Sequence, residues 1–220
     1  MKKLGQLCLF LLCISLTSCF ELVEQISINE DGTGEMTVTL NMFESKQKLQ
    51  TFMEAPESMH GYKAPDQAEV EAFFAGVVAT VSEVEGITNV KSDIYYEDFI
   101  FSISGSFDDV SAMEEAVKKF THGMSRGVIN LKNEYKYEDG LFTRTFESPY
   151  KAENYDEIPM MQRVILKSAK LISVYRFEKE ITGMTSADTQ LSFDKKEARF
   201  ESNLSDIVSG AKTINNEIGF

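Results

Sequence analysis

The sequence predicts an α+β fold in which antiparallel β-hairpins alternate with amphipathic helices packed on one face of the sheet. Three observations predict it. Apolar and polar residues alternate at period two on either side of short glycine-bearing turns. One long segment instead repeats its apolar residues at helical spacing. The two patterns then take turns along the chain, without the fixed period of a tandem repeat. Short hairpins favour antiparallel pairing, and amphipathic helices must bury their stripes on the sheet those hairpins make.

The first hairpin spans Phe20 to Met42. Ile26 and Ile28 alternate with Ser27 and Asn29, and Met36, Val38, Leu40 and Met42 alternate with Thr37, Thr39 and Asn41. Between them, Asn29 to Gly34 is a turn cluster. Its Asp31-Gly32 pair invites a test for calcium. With Gly32 at the sixth position of an EF-hand loop, Ser27 falls first and Val38 twelfth, and neither supplies the required carboxylate. Phe43 to Glu54 follows as a helix with an incomplete stripe of Phe43, Leu49, Phe52 and Met53. Residues 55–65, with two prolines and His60, form a loop and the candidate internal boundary.

Asp66 opens the clearest helix. Asp66 and Glu69 have the spacing of a capping box. Val70, Phe73, Phe74, Val77, Val78, Val81 and Val84 recur on one face, which is expected to be core, and Gly86 ends the helix. A second hairpin, Ile87 to Phe107, turns at Glu97-Asp98. Asp108 or Asp109 starts a helix to about Phe120, with Met113, Val117 and Phe120 inward. The third hairpin, Val128 to Glu147, turns at Asp139-Gly140, a strong hairpin signal. Tyr155 to Lys167 reads as a helix with Ile158, Met161, Val164 and Ile165 inward. Leu171 to Ile181 reads as a strand, and a last hairpin turns around Asp194-Lys195-Lys196. The tail ends with Ile207, Val208 and polar residues.

Candidate chemistry is sparse. Gly123-Met124-Ser125-Arg126-Gly127 matches G-x-S-x-G, with His122 just before it. A nucleophile elbow needs a strand before its serine and a helix after it, the reverse of the order expected here. The two histidines, His60 and His122, both precede Ser125, whereas that fold places its histidine after the serine. Glu114 and Glu115, or Asp108 and Asp109, are read as helix-start residues favoured by the macrodipole. Phe99 and Phe101, like Tyr135 and Tyr137, have strand spacing and are read as core. No cofactor, metal or catalytic residue is assigned.

Composition narrows the partners. The formal net charge is −13, with 35 acidic residues against 22 lysines and arginines. A phosphate backbone calls for a basic surface, so nucleic acid is excluded as a partner. The same acidity argues against lying flat on anionic lipid. Sixteen Phe and eight Tyr can fill a real core, and there is no Trp.

The first nineteen residues stand apart. Lys2 and Lys3 precede a short apolar run from Leu4 to Leu16, which has the form of a secretory signal and is short for a bilayer span. Its ending, Leu16-Thr17-Ser18-Cys19, resembles the lipobox of bacterial lipoproteins. With the acidic body and the first hairpin, it resembles lipoproteins of Bacteroidetes-type bacteria. The resemblance implies a signal of residues 1–18 and a mature lipid-anchored domain of residues 19–220. It implies that the Cys19 thiol carries diacylglycerol and that the new amino end takes a further acyl group such as palmitate. Cys8 and Cys13 would leave with the signal, so the folded part would hold no thiol for a disulfide, a nucleophile or a metal. Phe20 and Glu21 follow the cysteine without the aspartate that retains some lipoproteins at the inner membrane. Glu21 and Glu24 would form an acidic export tag. The expected address is therefore the cell envelope, at the outer membrane.

Three functions compete. The first is a lipid-anchored, non-enzymatic protein that binds or scaffolds an envelope protein. The second is an envelope hydrolase built on Ser125 or a carboxylate pair. The third is a carrier of an apolar ligand between sheet and helices. A pocket joining His122, Ser125 and an acid would favour the second, and a sizeable apolar cavity the third. A filled core would favour the first.

Overall fold

The structure, a computed structural model, describes residues 20–53, 65–125, 132–147, 158 and 160–220. The fold is α+β. Strands β1 (Phe20–Ile28), β2 (Gly34–Asn41), β3 (Ile87–Tyr95), β4 (Ile100–Phe107), β7 (Ala169–Phe177), β9 (Thr189–Leu191) and β10 (Glu197–Asn203) form a seven-stranded sheet in the order β3-β4-β2-β1-β7-β10-β9. A four-stranded sheet contains β5 (Lys132–Glu138), β6 (Leu141–Glu147), β8 (Gly183–Met184) and β11 (Asn216–Gly219), in the order β5-β6-β11-β8. The helices are α1 (Lys46–Met53), α2 (Gln67–Ser82), α3 (Val110–Ser125), α4 (Met160–Ser168) and α5 (Leu204–Val208).

The alternation seen in the sequence is the core. Leu22, Ile26 and Ile28 share one face of β1 and pair with Leu40, Met36 and Gly34 of β2. Across the sheet, the same face carries Tyr175, Phe177, Ala198 and Phe107, and the small sheet packs Tyr135, Phe142 and Ile218 onto it. A second cluster joins Leu171, Phe200, Ile207 and Ile214. Helices and small sheet thus cover one face of the large sheet. The other face carries Thr37, Thr39, Ser102, Ser104 and Ser106, as a solvated antiparallel face should. Two buried residues on that face, Ile172 and Val174, lie beneath long charged side chains. Lys170 and Arg199 both reach Glu201, at 3.1 and 3.0 Å, and Arg176 reaches Glu197 at 2.8 Å. The aliphatic stems cover apolar surface while the heads stay in water.

The expected hairpins form, the third over its described residues 132–147. Asp139 and Gly140 both take positive φ, 50° and 78°, as a two-residue hairpin turn requires. The capping box at Asp66 forms in full: Asp66 accepts from the Glu69 amide at 2.9 Å, and Glu69 accepts from the Asp66 amide at 2.9 Å. Asp109 caps α3 by accepting from the Ala112 amide at 2.7 Å.

Several expectations are corrected. One pairing is parallel rather than antiparallel, β1 with β7 over their whole lengths. α2 has no fully buried residue, and Phe73 points outward, 48% exposed. This helix covers the outer strand β3, so only part of its broad apolar face meets the sheet. Phe43 sits in a 3-10 turn before α1 and is also half exposed, and Val164 of α4 lies outward. Glu114 and Glu115 lie in the second turn of α3, not at its start; Glu114 accepts from the Tyr135 amide of β5 at 2.6 Å. The tail supplies α5 and β11, the latter lying between β6 and β8. Asn216 fastens it: its Oδ1 accepts from the Thr185 and Ser186 amides at 3.2 and 2.9 Å.

Candidate functional site

Two places deserve weighing: a buried ion pair and an apolar pocket. The ion pair follows from strand parity. Glu24 lies on the inward face of β1 between Leu22 and Ile26, and Arg144 lies on the inward face of β6 with Phe142. Both are buried, and they meet between the two sheets. Arg144 Nη1 donates to Glu24 Oε1 and, at 3.1 Å, to the Tyr175 hydroxyl. The Tyr135 hydroxyl donates to Glu24 Oε2 at 3.2 Å and accepts from Asn133 Nδ2 at 3.0 Å. The guanidinium also lies over the Tyr135 ring, 4.6 Å from its centre. Arg144 Nε and Asn133 Oδ1 have no partner among the described residues.

Burial dominates the titration of the two tyrosines. It pushes the Tyr135 and Tyr175 hydroxyls well above the usual phenol range. The Arg144 charge pulls both back in part, and Glu24 raises them further. For Arg144, burial opposes its charge, but Glu24 and the two tyrosines outweigh it and hold the guanidinium ionised. The folded state therefore keeps two phenol protons that the unfolded chain releases near pH ~10. Their contribution to stability is full below that pH and is lost as pH rises through the raised values. The urea midpoint is expected to fall above pH ~10, and less steeply in Tyr175→Phe. Equal slopes for wild type and variant would show that this phenol is not the cause.

Chemically, this cluster is a clamp. Each Glu24 oxygen is engaged, Tyr135 donates its proton to one of them, and the Tyr175 hydroxyl accepts from Arg144. The clamp residues do not line the apolar pocket. Glu24, expected to belong to an exposed export tag, is instead buried and ion-paired.

The pocket lies where α2 and α3 meet the large sheet. Met36, Val38, Ile103 and Phe107 form its floor, and Val81, Val117 and Phe120 its walls. It exists because Gly105 puts no side chain on that floor, while the irregularity of β3 between Thr88 and Lys91 sets Val90 beside it. Its volume is about 60 Å³, well under the ~150 Å³ of an apolar cavity that holds one benzene. It fits a methyl or two, not a carried lipid. A Cβ on Gly105 would meet Val90 Cγ2 at an ordinary 3.4 Å. Gly105→Ala is therefore expected to stabilise the protein by about 0.4–1 kcal/mol, by partly filling the pocket and restricting the unfolded chain. A lowered thermal midpoint would refute that account.

Cys19 and His60 lie outside the described residues, as do Arg126 and Gly127. His122 and Ser125 fall in the last turn of α3, and their side chains are not described. The G-x-S-x-G string thus begins inside a helix rather than on a strand. Asp31 Oδ1 is engaged by Thr33, through its amide at 3.0 Å and its hydroxyl at 2.7 Å. The Thr33 hydroxyl bond, with help from the amide, lowers the Asp31 pKa. Among the described residues, no three His, Cys, Asp or Glu side chains gather as metal ligands. None of the described helices is long and apolar enough to cross a membrane. Sequence reasoning missed Arg144 and misplaced Glu24. The available signal was a charge at an inward parity position in each of two otherwise apolar strand faces.

Neither the family models nor the curated proteins include a match to this chain. Among solved structures, it is similar to the folded domain of LppM from Mycobacterium tuberculosis. The identity is 9%, over 92% of this chain and 90% of that one, with a TM-score of 0.43. A likeness at that level carries no argument about what this chain does.

Proposed function

We propose that this chain is a lipid-anchored lipoprotein of the cell envelope, held at the outer membrane through Cys19, and that it acts as a non-enzymatic binding or scaffolding protein for an envelope partner. The observation that carries the reading is the string Leu16-Thr17-Ser18-Cys19 behind a basic, apolar signal. One acyl chain gives only marginal membrane binding, and two or three make it firm. The described apolar pocket is too small for a carried lipid, which favours binding over carriage of an apolar ligand, and the buried pair Glu24 and Arg144 is closed on itself. The Ser- and Thr-bearing face of the large sheet supplies a broad surface for a protein partner.

The expected result is a mature chain beginning at Cys19, with diacylglycerol and acyl mass on its first residue. Cys19→Ser should leave the signal uncleaved and the added mass absent. A secreted product with another first residue and a free sulfur at position 19 would refute the anchor. Affinity capture of the full lipoprotein from solubilised envelopes, with the Thr37→Lys/Thr39→Lys/Ser104→Lys variant as control, tests the binding reading. Recovery of no partner that the variant loses would count against it.

A further inference from the structure

We propose that the end of the large sheet at which β1 begins faces the bilayer, and that Phe43, Phe73 and Tyr95 seat there in the zwitterionic headgroup layer. The proposal rests on the reading of Cys19 as the lipidated residue and adds the orientation of the domain. Consecutive Cα atoms are about 3.8 Å apart, and the residue after Cys19 is Phe20, the first of β1. A lipid on Cys19 therefore has no linker with which to hold the domain away from the membrane.

The strand register shows what else lies at that end. Glu21 pairs with Asn41, Asn41 with Ile100, and Ile100 with Tyr95. Phe43 follows two residues after Asn41, whose Oδ1 accepts from the Phe43 amide at 3.1 Å. Lys46 reaches Asp98 at 2.8 Å and fastens this corner to the turn between β3 and β4. Phe74 stacks on Phe101, one residue in from the end, at 5.8 Å, and Phe73 meets Phe74 edge-on at 5.5 Å. Three aromatic side chains from three separate elements are thus gathered where the tether attaches, each about half exposed or more. Aromatic rings with one apolar and one wet side are the residues that favour a membrane interface. The start of α2 lies at this end too, where the Tyr96 hydroxyl donates to the Pro65 carbonyl at 3.1 Å, so the acids Asp66 and Glu69 stand beside the aromatic residues. The chain's net charge of −13 disfavours anionic lipid, which points to zwitterionic headgroups as the partner.

The molecule supplies its own control. Phe193 is fully exposed, in the turn before β10 at the far end of the sheet. A nine-residue strand puts that end about 25–30 Å from Phe20. The chain has no tryptophan, so a single introduced one is the sole reporter. The test uses the full lipoprotein carrying Phe43→Trp, Phe73→Trp, Tyr95→Trp, Ala79→Trp or Phe193→Trp. Each is reconstituted in phosphatidylcholine vesicles with brominated acyl chains.

Emission at 43, 73 and 95 is expected to shift to the blue and to be quenched. At 193 it should stay red and unquenched, with 79 less affected than 73. Tryptophans at 43, 73 and 95 that behave like the one at 193 would overturn the proposal. So would strongest quenching at 79, which would lay the domain on the flank of α2. A blue shift that grows with protein concentration without quenching would mean contact between copies, and would overturn it too. The mass of the first peptide in the same samples separates the two readings. A free Cys19 thiol removes the tether and the proposal together, whereas lipidated Cys19 with unquenched tryptophans overturns the seating alone.

Discussion

Replacing Arg144 by methionine is expected to cost about 3–5 kcal/mol, because it leaves Glu24 charged and uncompensated between two sheets. The carboxylate would keep the Tyr135 hydroxyl at 3.2 Å and lose its cation, while Tyr175 would lose its donor at 3.1 Å. Domains are typically stable by about 5–15 kcal/mol, so the variant would sit near the edge of folding. The companion Glu24→Leu/Arg144→Met removes both charges and fills the space with apolar atoms. Such replacements of buried pairs are often neutral or stabilising, by about 1–4 kcal/mol. The double variant should therefore recover most of what the single one loses, in urea midpoints measured at pH 7. A double variant as unstable as the single one would show that the pair itself contributes the stability. It would also refute the account of Arg144 as compensation for a buried acid.

Gly34→Ala is expected to be nearly as severe, at about 3 kcal/mol, the upper end of what forcing extra atoms into a packed core costs. Gly34 starts β2 and is paired on both sides, with Ile28 of β1 and Phe107 of β4. A Cβ there would lie 2.0 Å from the Ser27 carbonyl oxygen and 2.5 Å from the Phe107 ring. The first of these is backbone, so no side-chain rotation relieves it; the strands would have to separate. The control is Gly76→Ala, in α2, where a Cβ meets nothing within 4 Å among the described residues. Helix propensity alone should make that variant more stable, by about 1 kcal/mol. Thermal midpoints that moved by similar amounts in the same direction would show that the crowding at Gly34 is not what fixes the residue.

Much of the fold was legible because its signals are local. The hairpin at Asp139-Gly140 needed only two residues that tolerate positive φ, and the Asp66 capping box only a spacing of three. Inward parity on β1 could be read from Ile26 and Ile28 without knowing what lay opposite. The misreadings share a cause. The stripe from Val70 to Val84 shows that α2 is amphipathic, but not that its sheet ends beneath it and leaves Phe73 outside. Asn216 to Gly219 has little β signal of its own; it is a strand because β6 and β8 offer edges and Asn216 bonds to the Thr185 and Ser186 amides. The parallel pairing of β1 with β7 joins residues about 150 apart, a distance at which no turn chemistry fixes a partner.

The candidate sites divide in the same way. The proposed lipobox would be a covalent signal read along the chain, so four residues suffice for it. The Glu24–Arg144 clamp joins residues 120 apart in sequence, and each alone looks like ordinary surface charge. By itself, the sequence determined the strand faces, the turns, the helix caps and the proposed address at Cys19, since each depends on neighbours a few residues away. Only the tertiary structure decided which faces meet, that an acid from the first strand is buried against an arginine of the small sheet, and that three aromatic residues gather at the end where the chain enters the fold. Burial and pairing over such separations come from closing the whole chain, and no local pattern encodes them.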